Sequence, residues 1–479
     1  MLGARHVEDD PATIAAYERA TFPTSQRVIA VVRPGTVAAT QRVLAVASRE
    51  RVPIYPVSRG FNWGYGSRVP REDGSVVLEL SRLRRISALD DELGTVTVQA
   101  GVSFAELAAF LARRGSSRML TVTGGTPRGS VVANALERGI GFGVGGNRIE
   151  TVCALEVVLA TGELIRTGFA RYPRARAAHV HRAGLGPSFD GLFAQSNLGI
   201  TTSATLWLPP RPRWAGGLSI RIRHRDLAPA IAIYRALLGA GALRGVVKLS
   251  NAESLMMAGG PNVDRRARGW IGYVHISGDD LDELAARLDY LERSFTARSK
   301  LVVQRTAVTE TARIVGPYGG VPGDYGLAAL AYGRPPMPPG TPLEPSGAVF
   351  VCPAVPLRGD AVKEVVELLS AAARAGGFVP YVTLNLMDER AVHVVFGVFY
   401  DRDAPGLDRR AMQVYRRALA ACVARGYYPY RLGIQSMQEL PPFVDATAAV
   451  LARIRGALDP AGILGRGTYE GGPSRAGRR

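Results

Sequence analysis

An α+β protein of two domains is predicted by three observations: the length of the chain, the alternation of strand-like and helix-like hydrophobic patterns along it, and a proline-rich break near its middle. At 479 residues the chain exceeds what one ordinary hydrophobic core organises. Pro209-Pro210-Arg211-Pro212-Arg213 suits a domain junction. A hydrophobic content of 47% with 21% charge places it among globular proteins. No uncharged apolar run of about 18 residues occurs, so no transmembrane helix is expected. Met1 to Pro23 carries Glu8, Asp9 and Asp10 and has no apolar core of a secretory signal, so a cytoplasmic location is expected. Cys153, Cys352 and Cys422 lie far apart without metal-ligand spacing, which points to neither disulfides nor a metal site.

The elements follow in order. Val28-Ile29-Ala30-Val31-Val32 reads as a strand, Arg33-Pro34-Gly35 as a turn, and an amphipathic helix runs from there through Val46. Val52 to Val57 reads as a second strand. It runs into a glycine loop, Ser58-Arg59-Gly60-Phe61-Asn62-Trp63-Gly64-Tyr65-Gly66. Val76 to Leu80 and Thr95 to Ala100 read as strands, and Ser103 to Arg113 as a capped helix with the apolar stripe Phe104, Leu107, Phe110, Leu111. Thr151 to Leu159 reads as a strand ending in the hairpin turn Ala160-Thr161-Gly162-Glu163.

Beyond the junction, strand and helix alternate: Leu218 to Arg223, Ala228 to Leu238, Trp270 to Ile276, Asp279 to Ala297, then Val349 to Pro353, Ala361 to Ala375 and Val392 to Tyr400. The proline-rich stretch from Arg334 to Pro339 reads as a surface loop or lid. Leu451 to Leu458 reads as a short helix and Gly471 to Arg479 as a disordered tail.

The net charge of +18 raises the question of a polyanionic partner. Only Lys248, Lys300 and Lys363 are lysines, however, and the arginine excess is spread along the chain. The densest segment, Arg171 to Arg182, offers no aromatic platform beyond Tyr172, so it reads as a solvated loop or a docking surface, and nucleic acid is not expected.

A second glycine tract, Thr121 to Asn147, contains Gly141, Gly143 and Gly146 in G-x-G-x-x-G spacing. A dinucleotide fingerprint needs a helix next, whereas the following segment reads as a strand, so NAD binding is not expected. The glycines of both tracts serve either tight turns or close approach of the backbone to a bulky ligand.

These tracts and the segments after them resemble the vanillyl-alcohol oxidase and p-cresol methylhydroxylase family of flavoenzymes, from about Val28 to Gly467. Ser58, Gly60, Asn62, Gly64, Tyr65 and Gly66 match the family's S-x-G-x-N-x-G-Y-G, and Glu137 to Gly141 its E-R-G-V-G. Glu156 to Leu159 matches E-V-V-L, Gln195 to Ile200 matches Q-S-N-M-G-I, and Asp459-Pro460 with Gly462-Ile463 matches D-P-x-G-I. The resemblance implies a two-part FAD-binding domain of the p-cresol methylhydroxylase type, 1–213 and 435–479, with an inserted α+β cap domain at 214–434.

By the same resemblance FAD would be held by the whole Ser58 to Gly66 loop, by Gly125, Thr126, Gly129, Ser130 and Asn134, by Gly141 and Gly143, by Gly199 and Ile200, and by Arg466. Consecutive loop amides form an anion nest, which agrees with a bound pyrophosphate. Tyr65, Tyr430 and Arg431 fall on the positions that surround the substrate's phenolic oxygen in phenol-oxidising members.

Two departures stand out. Ala348 occupies the place just before Val349 to Pro353 where covalently linked members carry histidine or tyrosine, and no histidine lies in either glycine tract, so noncovalent FAD is expected. The tract from Thr121 to Ser130 lacks the carboxylate that family members place near flavin N5, and Arg128 is its only charged residue. Arg128 is therefore a candidate to stabilise anionic reduced flavin or to grip a substrate carboxylate.

The expected activity is oxidation of a para-substituted phenol, by hydride transfer from its benzylic carbon to flavin N5 through a quinone methide. A secondary-metabolite intermediate or hydroxy acid is the alternative substrate, and a flavin-binding protein without oxidase activity the alternative of another class. Expected partners are a small-molecule substrate, dioxygen or an electron-transfer protein as acceptor, and a second copy in a homodimer.

Overall fold

The computed structural model describes residues 3, 6–257, 268–297, 301–330 and 346–470. The Arg334 to Pro339 excursion and the Gly471 to Arg479 tail lie outside them.

The first sheet grows from local signals. Thr36 caps the helix Val37–Glu50 by accepting from the Ala39 amide, and Arg51 ends it in a left-handed conformation at φ 54°. Leu44 and Ala47 on that helix are buried against the sheet. The helix carries the chain from Val28–Val32 to Ile54–Val57, and Ser75–Glu79 lies parallel to both, between them; Val7–Glu8 adds an antiparallel edge. The glycine loop leaves the carboxyl end of Ile54–Val57, where the chain of a parallel sheet usually meets its ligand.

A second, antiparallel sheet has the order Ile86–Asp90, Thr95–Gln99, Ile200–Trp207, Val152–Val158, Leu164–Arg166. The helix Phe104–Arg113 packs on it through Phe104, Leu107 and Leu111, started by a reciprocal capping box of Ser103 and Glu106. Gly141 to Gly146 forms a hairpin loop, and the strand Val152–Val158 follows without an intervening α-helix, so the dinucleotide context is absent. The arginine-rich segment folds back over Ile200–Trp207: Trp207 Nε1 donates to the His179 carbonyl at 2.8 Å, and Arg182 stacks 4.9 Å from the Trp207 ring.

The third sheet has eight strands. Its path runs Val302–Glu310, Trp214–Ile222, Trp270–Gly278, Val247–Asn251, Tyr381–Leu386, Ala391–Asp401, Ser346–Val351, and Ala354–Pro356 pairs with Ala391–Asp401. The helices Leu227–Gly239, Leu281–Thr296, Gly359–Ala375 and Leu407–Val423 cover one face. Period-two alternation decides the rest: Val382, Leu384 and Leu386 enter that core, which leaves Tyr381, Thr383 and Asn385 on the opposite face, towards the glycine tracts.

The carboxyl-terminal residues return to the first sheet. After the helix Thr447–Leu458, the buried Asp459 carboxylate accepts from the amides of Ile463 and Leu464 at 2.9 and 2.8 Å. Ile54 then exchanges backbone hydrogen bonds with Ile463 and Gly465, each 2.8 Å. The D-P-x-G-I motif is thus the clamp that bends the chain onto the sheet edge.

Candidate active site

A cleft of about 470 Å³ lies between the glycine tracts and the uncovered face of the eight-stranded sheet. Ser58, Arg59, Gly60, Phe61, Asn62, Trp63 and Tyr65 form one wall. Gly125, Thr126, Gly129, Ser130 and Asn134 form a second, Gly199 and Ile200 a third. From the eight-stranded sheet come Lys248, Phe350, Tyr381, Thr383, Asn385 and Phe399.

The remaining candidates stand elsewhere. Gly64, at φ +76°, places its Cα against the Phe350 ring, where a Cβ would come within 2.2 Å; Gly66, at φ +124°, faces Ile434. Gly141 backs onto Thr121 and Val122, and Gly143 exchanges backbone hydrogen bonds with Val246. Arg466 donates to the Gly462 carbonyl and lies 3.5 Å from Glu72, along a separate groove. Arg128 is exposed and stacks 4.8 Å from the Phe61 ring without lining the cleft.

Several residues of the cleft wall carry polar atoms that the protein leaves unmatched. The backbone N–H groups from Arg59 to Trp63 have no acceptor among the described residues. Trp63 Nε1, Ser67 Oγ, Asn134 Oδ1 and the Nε atoms of Arg59 and Arg431 are buried without a hydrogen-bond partner. Buried polar atoms are ordinarily satisfied, so their concentration here marks a place for a polar ligand. A row of free amides is an anion cradle that needs neither lysine nor metal.

Tyr65, Tyr430 and Arg431 do converge. Arg431 stacks 4.3 Å from the Tyr65 ring and donates to Asn62 Oδ1 at 2.5 Å. The Tyr65 hydroxyl lies 3.1 Å from Cys352 Sγ, and the Tyr430 amide donates to the Cys352 carbonyl at 3.0 Å. Tyr430 is held flat against His393, with ring centroids 4.1 Å apart and planes 6° apart. Burial pushes the hydroxyls of Tyr65 and Tyr430 well above their usual range, so both are neutral donors at pH 7. Burial works against the charge of Arg431, but Glu137, 3.6 Å away, and the surrounding tyrosines hold it above its ordinary value. Tyr469 donates to the same Glu137 carboxylate at 3.1 Å.

Comparison with known proteins agrees with this architecture. Residues 28–168 match the FAD binding domain family. The chain is 37% identical to 1'-carboxy-chondrochloren decarboxylase of Chondromyces crocatus, over 98% of its own length and 95% of that protein's. It is 25% identical to the 4-cresol dehydrogenase [hydroxylating] flavoprotein subunit of Pseudomonas putida, over 98% and 93%. The structure of 4-ethylphenol oxidase from Gulosibacter chungangensis superposes with a TM-score of 0.88 at 24% identity, covering 99% of this chain and 96% of that one.

The chain belongs to the p-cresol methylhydroxylase type of FAD-linked oxidoreductases.

Its cofactor is FAD. The free amides and unmatched polar atoms around the glycine loop suit that group, and Gly124 and Gly125 leave the adjoining wall without side chains. Most members of this family, by the resemblance set out above, carry an acid near flavin N5. Here the acid of the cleft is Glu137, already occupied by Arg431 and Tyr469.

Lys248 is the residue that sequence reasoning passed over. It donates to Asn385 Oδ1 at 2.8 Å and lies 4.2 Å from the Phe142 ring centroid. It sits in no motif. The one available signal was its identity, since only three of the 59 basic side chains are lysine. Asn385 and Tyr381 were missed as well, because the strand that carries them was not recognised.

Among the described residues no helix is long and apolar enough to cross a membrane, and no group of potential metal ligands occurs.

Proposed function

We propose that this flavoenzyme oxidises a para-substituted phenol, bound with its oxygen among Tyr65, Tyr430 and Arg431. FAD supplies a two-electron acceptor that takes the hydride from the benzylic carbon. The observation that carries the proposal is the convergence of two neutral tyrosine hydroxyls and a guanidinium at one end of the cleft. A phenolate is a far better hydride donor at its benzylic position than a phenol. Two hydroxyl donors and one cation in a dry pocket favour the anion in which negative charge builds up before it flows into the ring. Phe350, Phe399 and Tyr381 supply apolar walls for the ring, and Asn62 and Glu137 hold Arg431 in place.

A second product route is favoured by the relative named as a decarboxylase. If the carbon next to the benzylic one bears a carboxylate, loss of the phenolic proton and the hydride leaves a quinone methide. The carbon–carboxylate bond can then break, its electron pair forming an alkene as the ring becomes aromatic again and carbon dioxide leaves. Ser58 to Trp63 with Tyr65, Gly125, Thr126, Gly129, Ser130, Asn134, Gly199 and Ile200 are proposed to hold the cofactor. We further propose that it is held noncovalently, since Ala348 offers no nucleophile at the position where linked members carry histidine or tyrosine.

The test is anaerobic flavin bleaching by para-alkylphenols and by their methyl ethers. Bleaching by the phenols alone supports the proposal, and equal rates for phenol and ether would defeat it. Acid precipitation of the same sample should leave the yellow colour in the supernatant.

A further inference from the structure

One wall of the cleft carries a positive charge that no described residue neutralises. Among the described residues the groups around Lys248 are the Asn385 amide, the Phe142 ring and Tyr273, its partner in register on the neighbouring strand; none is an acid. His275, two residues along that strand, is stacked on Tyr318 with centroids 4.3 Å apart, and burial lowers it to about 4, so it too is neutral at pH 7. Arg431, by contrast, has Glu137 beside it, and the buried Arg148, which also lacks an acid among the described residues, donates to the carbonyls of Thr121 and Val131. An ammonium drawn out of water without a counter-ion is costly to keep. Burial accordingly lowers Lys248 to about 7. In a chain so weighted to arginine, lysine at this place has a chemical meaning, because arginine cannot give up its charge and lysine can.

The position of Lys248 relative to the phenol end is set by strand register. Lys248, Asn385 and His393 form one row across three adjacent strands. Tyr430 stacks on His393, so the backbone of Lys248 lies about two inter-strand spacings, roughly 10 Å, from the residue that backs the phenolate-binding end. That separation suits a phenol with a short acidic side chain, its oxygen at Tyr430 and its acid at Lys248.

We propose that Lys248, oriented by Asn385, is the carboxylate-binding group of the cleft, and that the substrate is a para-substituted phenol whose side chain carries a carboxylate. The aromatic half of this assignment rests on the phenol-oxidising function proposed above; the carboxylate half rests on Lys248 alone.

The experiment uses the FAD-loaded protein under anaerobic conditions and reads ligand binding from the flavin absorbance. Para-hydroxyphenylpropanoate is compared with its amide. The wild-type protein should bind the acid at least about tenfold more tightly than the amide, a preference worth roughly one ion pair in a dry site. Lys248→Met should bring the ratio close to one, and Lys248→Arg should preserve it. A wild-type protein that does not distinguish acid from amide overturns the proposal, as does a Lys248→Met protein that still prefers the acid. Weakening of both ligands by the same factor in Lys248→Met also overturns it, since the lysine would then serve the flavin or the fold. If Lys248→Met does not retain FAD, the wild-type ratio decides by its pH course. A preference that fades above about pH 7 supports the lysine, and one unchanged from acid to alkaline pH rejects it. Phenylpropanoate, which lacks the hydroxyl, separates the two proposals. A lysine-dependent preference for it over its amide keeps the carboxylate site even if methyl ethers bleach the flavin as fast as phenols. Bleaching by neutral phenols without any acid preference keeps the phenol reading and removes the carboxylate site.

Discussion

The two ends of the cleft treat charge in opposite ways. At one end Arg431 is held by Asn62, Glu137 and the Tyr65 ring, and its charge persists because a carboxylate stands beside it. At the other end Lys248 has an amide and an aromatic ring for company and lies near the edge of losing its proton. A charge completed by the protein is ready before a ligand arrives. A charge left incomplete makes the ligand the missing counter-ion and ties affinity to pH.

The largest effect should come from the completed end. Arg431→Ala strands Glu137 beside the phenol oxygen, so the anion loses its cation and meets a carboxylate instead. Flavin reduction by phenols should fall by about a hundredfold or more, roughly 3 kcal/mol of transition-state stabilisation. Stopped-flow reduction rates normalised to FAD content measure it. Tyr65→Phe and Tyr430→Phe should each cost about tenfold, and less when added to Arg431→Ala, because all three groups serve one oxygen. Full additivity would mean that they do not converge on the same atom.

A smaller effect should come from titration of the incomplete end. Lys248 is charged below about pH 7 and neutral above it in the free enzyme, so affinity for an acidic phenol should be highest at low pH. It should fall by up to about tenfold per pH unit above that point, less as the bound carboxylate raises the lysine's own value. The amide of the same acid should show no such fall. Titrations of flavin absorbance between mildly acidic and mildly alkaline pH provide the check.

The smallest effect should follow from loosening the completed end. Glu137→Gln keeps the shape of the side chain and removes the negative charge 3.6 Å from Arg431. The bound phenol should then ionise more readily. The acid limb of the reduction profile should move to lower pH by a fraction of a unit, with rates changed by only a few-fold. A shift to higher pH would mean that Glu137 assists the reaction and is more than a counter-ion.

Much of this protein was written locally. The strand Val28–Val32, the Thr36-capped helix after it, the capping box at Ser103 and the turn between Val152–Val158 and Leu164–Arg166 each depend on residues close together in the chain. Periodicity and turn chemistry therefore reveal them. The same holds for the glycine loop, whose free amides belong to consecutive residues. What stayed hidden depends on residues brought together from afar. Gly64 is a glycine because Phe350, 286 positions later, fills the space its side chain would need. Arg128, the one charge in its tract, is exposed over Phe61, whereas Lys248, on a short central strand, brings a cation into the cleft beside Arg59 and Arg431. The strand Tyr381–Leu386, unrecognised in the sequence, carries a Tyr-Thr-Asn face that the fold turns towards the glycine tracts. Whether a charge is solvated, paired or left waiting for a ligand is a property of its surroundings, and only the tertiary structure supplies those.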